Sequence, residues 1–364
     1  MLKPVDYNMG LIPDEIFQEL EDVYNINIEK VLPYVGVNNK PIFLNKRSET
    51  SRKIIIKIEQ GYFMLKEIPW YIKTDYIKAI LSLQNELHFI NGKSPKILMS
   101  NDESLSVNLL GKEYFIQEFI FGNGWSYNRK QAFYAGKVLR EFHKNTKKFI
   151  TSPLNFKTET IMENAKGILN LLMRNFKKRR NGLTEQKQKL YLLFIKKANM
   201  LIKRYEKELL TLFYGKDRVI VHGDYNPNNI TFSTENEIKS IYDYDNVCID
   251  DPIHDIAEGL VDFSVIEYKP FTSMFQKMHI NSPQKELFTA FYRGYFSDYN
   301  DGDNRLINMI PSAMIIVLLE LCCLGLIRND WEITLSLNYL ENLERFHSMI
   351  SSYLFELRES SAVN

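Results

Sequence analysis

From Val219 to Glu258 the chain reads VIVHGDYNPNNITFSTENEIKSIYDYDNVCIDDPIHDIAE. Three β-branched residues, Val219, Ile220 and Val221, run directly into His222-Gly223-Asp224, the pattern of a short buried strand that delivers a polar loop. Asp224 and Asn229 stand five positions apart in that loop. Ile230-Thr231-Phe232, a polar turn from Ser233 to Glu237 and a second apolar run from Ile238 to Tyr244 then predict a β-hairpin. A hairpin doubles the chain back, so Asp243 on the return strand comes to lie beside Asn229 at the start. Asp224, Asn229 and Asp243 would meet in one place, with Asp245 just beyond.

Phosphoryl transfer from a nucleotide requires that inventory. One carboxylate accepts or orients the proton of an attacking hydroxyl. A hard cation such as Mg2+ takes oxygen ligands from one or two side chains and leaves its other positions to phosphates and water. In this arrangement Asp224 is the base, and Asn229 and Asp243 are the metal ligands. Asp and Asn are also common turn residues, so His-Gly-Asp alone says little. The ordered set of base, metal ligand, hairpin and second metal ligand carries the reading.

HGDYNPNNI followed by IYDYDNVCIDDPIHDIA resembles the catalytic signature of the aminoglycoside phosphotransferase and choline kinase-like superfamily. That superfamily includes homoserine, choline and fructosamine kinases and the kinase-like proteins of spore coats. The resemblance implies an α+β, two-lobed protein-kinase-like fold and ATP- and Mg2+-dependent phosphorylation of a small-molecule hydroxyl. Asp224 matches the family's catalytic base, Asn229 its metal-binding Asn, and Asp243 the metal-binding Asp that protein kinases carry in Asp-Phe-Gly. Asp255 matches a buried Asp that ties the catalytic loop to the following helix. His222 is grouped with Asp224 at the catalytic position, as a support of the loop and not as the base.

A chain of 364 residues is long enough for about two domains or lobes. Its 45% hydrophobic and 25% charged residues describe a globular protein. A formal net charge of +1 gives no reason to expect nucleic acid or an acidic membrane as a partner. Three cysteines, two of them adjacent, make neither a disulfide framework nor a metal motif and suit a reducing cytoplasm. The longest apolar stretch, Pro311 to Ile327, carries Glu320 and is short for a membrane span, which predicts a buried helix.

Upstream, Gly36 falls in a short turn that could cover nucleotide phosphates, or be an ordinary hairpin turn. RKIIIKIE, a Gln60-Gly61 turn and YFMLKEI predict a hairpin in which Tyr62, Met64 and Lys66 share a face. Lys66 then lies where a kinase places its phosphate-binding lysine, Lys57 being the alternative, and Met64 lies under the adenine. Thr74 to Asn91 reads as a helix with Ala79, Leu83, Glu86 and Ile90 on one stripe. Glu86, the one acid there, is the expected partner of Lys66. The run EYFIQEFIFGNG resembles the last strand of a kinase small lobe entering the hinge, so backbone groups of Glu118, Phe119 and Ile120 would meet the adenine edge. No Walker sequence occurs, which argues against a P-loop enzyme.

The rest reads as helices, and His143 as a packed, hydrogen-bonded helix residue. The expected division is a nucleotide-binding lobe over 1–118, a hinge over 119–124 and a helical, acceptor-binding lobe over 125–364. The acceptor belongs to the aminoglycoside, choline, homoserine, sugar or secondary-metabolite class. Two other readings remain open at this level: a non-catalytic binding protein on the kinase fold, and nucleotidyl transfer on the same scaffold.

Overall fold

The computed structural model describes residues 13, 15–33, 53–69, 72–268, 278–297, 304–328 and 331–362. Gly36 lies outside them.

Helix α1 (Glu15–Tyr24) precedes an antiparallel sheet of β1 (Lys30–Pro33), β2 (Lys53–Ile58), β3 (Gly61–Glu67), β4 (Ile97–Leu98), β5 (Val107–Leu109) and β6 (Lys112–Glu118). The spatial order is β1-β2-β3-β6-β4, with β5 pairing β6. Ile16, Leu20 and Tyr24 of α1 pack on one face against Ile54, Ile56, Leu65 and Ile116. The other face looks toward α2 (Thr74–Asn91) and the helical part of the chain. The apolar residues of β2 and β3 therefore serve two cores, and both strands are buried along most of their length. Helix α2 ends where the sequence expects, at Gly92, whose φ of 63° is left-handed and whose N–H reaches back to the His88 carbonyl.

The helical lobe is built from α3 (Arg129–Thr146), α4 (Ile161–Arg179), α5 (Glu185–Thr211), α6 (Ile253–Ser264), α7 (Lys285–Phe296), α8 (Arg305–Ile327) and α9 (Ile333–Ala362). Between α5 and α6 lie four short strands, β7 (Val219–Val221), β8 (Ile230–Phe232), β9 (Ile238–Ile241) and β10 (Cys248–Asp250). Thr160 and Glu163 form a reciprocal capping box at the start of α4. The apolar stretch is the middle of this lobe: α8 is long and apolar enough to cross a membrane, yet 78% of its apolar window is buried inside the fold. It begins six residues before Pro311, at Arg305, whose guanidinium bonds Asp251 at 2.6 Å and Asp217 at 3.2 Å.

Helices α3 and α7 cross closely because a glycine faces backbone on each. A Cβ on Gly136 would lie 2.1 Å from the Phe291 carbonyl oxygen, and one on Gly294 would lie 2.0 Å from that of Phe133. The crossing places Tyr295 against His143.

Candidate active site

The hairpin expected after the polar loop is β8–β9, with Ile230 opposite Ile241 and Thr231 opposite Ser240. Its return strand is shorter than the sequence suggests. It ends at Ile241, and Asp243 adopts a left-handed conformation at φ 65°, followed by a single 3-10 turn over Tyr244–Asn246. The Tyr242 N–H still donates to the Asn229 carbonyl at 2.8 Å, so Asp243 emerges beside Asn229 as expected.

The loop from β7 holds Asp224 through two side-chain amides. Asn226 Nδ2 donates to Oδ1 at 2.6 Å and Asn229 Nδ2 donates to Oδ2 at 2.8 Å. Asn229 Oδ1 has no hydrogen bond among the described residues. Burial pushes the Asp224 carboxyl well above its usual range, and the nearby charges of Glu258 and Asp243 push it further. A carboxylate so placed is a stronger base than one in water.

His222 does not touch the Asp224 carboxylate. It is fully buried, and its Nε2–H donates to the Tyr242 carbonyl at 3.0 Å, while Nδ1 meets no partner among the described residues. Burial lowers its pKa, so the ring is neutral at pH 7. It is a positioning residue that joins the loop to the return strand. Asp255 completes the support. Its Oδ2 accepts from the His222 backbone N–H at 2.7 Å and from His143 Nε2 at 2.8 Å, and its Oδ1 accepts from the Gly223 N–H at 2.9 Å. The other ring nitrogen of His143 meets the Tyr295 hydroxyl at 2.8 Å. Gly223 is left-handed at φ 70°, and a Cβ there would sit 2.6 Å from the Asn246 carbonyl oxygen. A side chain at this position would push the two halves of the site apart.

On the sheet side, Lys66 is 2% exposed, and its Nζ donates to Asp243 Oδ1 at 2.8 Å and to Asp245 Oδ1 at 2.6 Å. Lys57 points elsewhere, to an exposed pair with Glu29. Lys66 does not pair with Glu86. The buried residues of α2 are Ile77, Ala79, Ile80, Leu81, Leu83, Gln84 and Leu87, whereas Glu86 is exposed and Ile90 is 38% exposed. The expected stripe holds at Ala79 and Leu83, which are buried, and fails at Glu86 and Ile90, where it runs out to the solvent side. The polar residue beside Lys66 is Gln84, which shares a small cavity with Lys66, Asp243 and Asp245. Being neutral, it satisfies itself on Gln117 Oε1 at 2.7 Å and the Pro95 carbonyl at 3.0 Å.

Two residues that sequence reasoning passed over also reach the site. Lys53 Nζ donates to Asp243 Oδ2 at 2.9 Å. Burial alone would lower its pKa, but Asp243 and Asp245 outweigh that and raise it. The carboxyl of Asp243, which burial alone would raise, is held far below its usual range by Lys53 and Lys66. The second is Tyr242. With Ile55, Met64 and Phe119 it forms an apolar cluster. Its hydroxyl accepts from the Ile120 N–H at 2.6 Å and donates to the Ile120 carbonyl at 3.3 Å. The N–H groups of Glu118 and Phe119 are also used, by the Lys96 and Tyr62 carbonyls. Of these three amides, only that of Ile120 is bonded to a side chain, which can move.

The oxygen-donor set of Asn229, Asp243 and Asp245 suits a hard cation that shares its shell with phosphate and water. Among the described residues no cluster of three or more His, Cys, Asp or Glu forms a metal cage by itself.

A family model described as the phosphotransferase enzyme family matches residues 64–278, more than half of the chain. The chain belongs to that family. This phosphotransferase also shares its two-lobed fold with solved kinases of low sequence identity. An aminoglycoside phosphotransferase from Alicyclobacillus acidocaldarius is 12% identical, with 98% of each chain covered and a TM-score of 0.63. An amicoumacin kinase in complex with AMP-PNP, Ca2+ and Ami is 15% identical, with 94% of each chain covered and a TM-score of 0.64. A choline kinase from Cryptosporidium parvum is 16% identical, covering 86% of this chain and 89% of its own, with a TM-score of 0.54. No curated protein is significantly similar in sequence.

Proposed function

We propose that this phosphotransferase moves the γ-phosphoryl group of ATP to a hydroxyl of a small, amine-bearing molecule. The observation that carries the reading is the Asp224 carboxylate, made more basic by its surroundings and held by Asn229, which stands next to Asp243. Asp224 takes the proton of the acceptor hydroxyl as the new P–O bond forms and the β–γ bridging bond breaks, leaving ADP. Asn226 and Asn229 aim the carboxylate, and Asp255 and His222 hold the loop that carries it. Lys66 leaves Asp243 and Asp245 for the phosphates. A divalent cation held by Asn229 and Asp243 would neutralise charge on the phosphate oxygens. The adenine lies against Met64 and Ile55, with residues 119–124 as the hinge. For its edge to reach the Ile120 amide, the Tyr242 hydroxyl must give that amide up. An amine on the acceptor is favoured by Glu258 and Asp262 of α6, whose negative charge is felt at Asp224.

The test is ATP binding by calorimetry with and without Mg2+, on wild type and Asp243→Asn, followed by phosphate transfer to amino alcohols and neutral sugars. The expected result is Mg2+-dependent binding that the substitution weakens, and transfer to the amines. A wild type that binds no nucleotide at any Mg2+ concentration would overturn the reading.

A further inference from the structure

The β2–β3 hairpin turns on Glu59 and Gln60, which sets Lys53 directly opposite Lys66. Opposed residues of an antiparallel pair project from the same face, so two lysines enter the cleft side by side. Both ammonium groups converge on one carboxylate, Lys66 on Asp243 Oδ1 and Lys53 on Asp243 Oδ2. Like charges at neighbouring positions repel, and here they are tolerated because Asp243 and Asp245 supply two opposite charges. The four groups balance to zero.

That balance has a consequence for ligand binding. Each oxygen of Asp243 has a lysine on it, so when Lys66 goes to the phosphates a divalent cation at Asp243 still meets the ammonium charge of Lys53 on Oδ2. A lysine leaving a buried carboxylate must find another anion, since an unpaired ammonium in this setting is costly. Lys53 is the freer of the two. Its side chain is 17% exposed against 2% for Lys66, and it holds one carboxylate where Lys66 holds two. It also stands at the first residue of β2, at the open end of the hairpin.

We propose that Lys53 is a second phosphate-binding lysine, which exchanges its bond to Asp243 for the polyphosphate when nucleotide enters. It is a positioning residue in the nucleotide-free chain and a ligand of the phosphates in the loaded one. This rests on the nucleotide reading above.

Equilibrium binding of ATP, adenosine and inorganic tripolyphosphate, with Mg2+ present, tests it on wild type, Lys53→Gln and Lys53→Arg. Lys53→Gln should weaken ATP and tripolyphosphate by about 10- to 100-fold, the loss of one charge-assisted contact. Adenosine, which has no phosphate, should bind as to wild type, and Lys53→Arg should keep most of the affinity. Asp243 retains Lys66 in both variants, and unchanged thermal melting would show that neither is misfolded. ATP binding to Lys53→Gln within twofold of wild type overturns the proposal and leaves the nucleotide reading intact. Equal weakening of adenosine and ATP also overturns it, because the lysine would then only shape the pocket. If wild type binds neither ATP nor tripolyphosphate, both readings fall together.

Discussion

Asp255 gives a prediction whose size follows from its contacts. The carboxylate is wholly buried and accepts from two backbone amides, those of His222 and Gly223, and from the His143 ring. In Asp255→Ala those three donors face a void. A buried donor left without a partner costs about 1–3 kcal/mol, and a simple sum would reach ~3–9 kcal/mol. Neighbouring groups share the relaxation, so the expected loss is about 4 kcal/mol, the range found when one side of a buried ionic network is removed. Asp255→Asn should fare little better, because its NH2 must point at one of the same donors. The pH dependence has a definite sign. The His143 contacts outweigh burial and hold the Asp255 pKa below 3.8. Its stabilisation is therefore complete above the unfolded-state value near 3.8 and is lost as pH falls through the folded value. Urea denaturation of wild type and both variants at pH 7 and near pH 3 would measure this, with amide exchange at His222 and Gly223 as the local readout. A loss under ~1 kcal/mol at pH 7, with exchange at those amides unchanged, would refute the reasoning.

Two further substitutions probe the helical lobe. Gly136→Ala puts a methyl group 2.1 Å from the Phe291 carbonyl, so α3 and α7 must separate, and melting should reveal a loss of about 1–3 kcal/mol or more. An unchanged melting curve would mean that the two helices are not held at this distance. Glu320 on α8 is raised to about 8 by burial first and by the charge of Glu258 second, so the fold keeps a proton that the unfolded chain gives up above 4.5. Wild-type stability should therefore fall as pH rises between those values. Glu320→Gln should match wild type near pH 4 and exceed it by roughly 2 kcal/mol or more at pH 8, a denaturation series that a pH-independent difference would contradict.

Much of this protein is local in origin and legible in the sequence alone. The strand-loop-hairpin of residues 219–244 is fixed by a β-branched run, a polar turn and a second apolar run, and these short-range preferences brought Asp224, Asn229 and Asp243 together. The order of sheet and helices, the burial of α8 and the packed role of His143 were equally local or compositional. What failed was phase. The turn falls on Glu59 and Gln60, one residue before the expected Gln60 and Gly61. That shift moves the hairpin register by two residues and places Lys53 opposite Lys66, where a turn on Gln60 and Gly61 would have put Ile55. On α2 the expected stripe held at Ala79 and Leu83 but left the buried face at Glu86, and the polar residue buried near Lys66 is Gln84, on the opposite side of the helix from Glu86. The partners of Lys66 were beyond any local signal, since Asp243 and Asp245 lie 177 and 179 residues away along the chain. The same holds for the Tyr242 hydroxyl on the Ile120 amide, 122 residues apart. Periodicity tells which face a side chain takes, but an ion pair or a buried hydroxyl goes to whichever group the packed lobes bring within about 3 Å. That choice belongs to the tertiary structure.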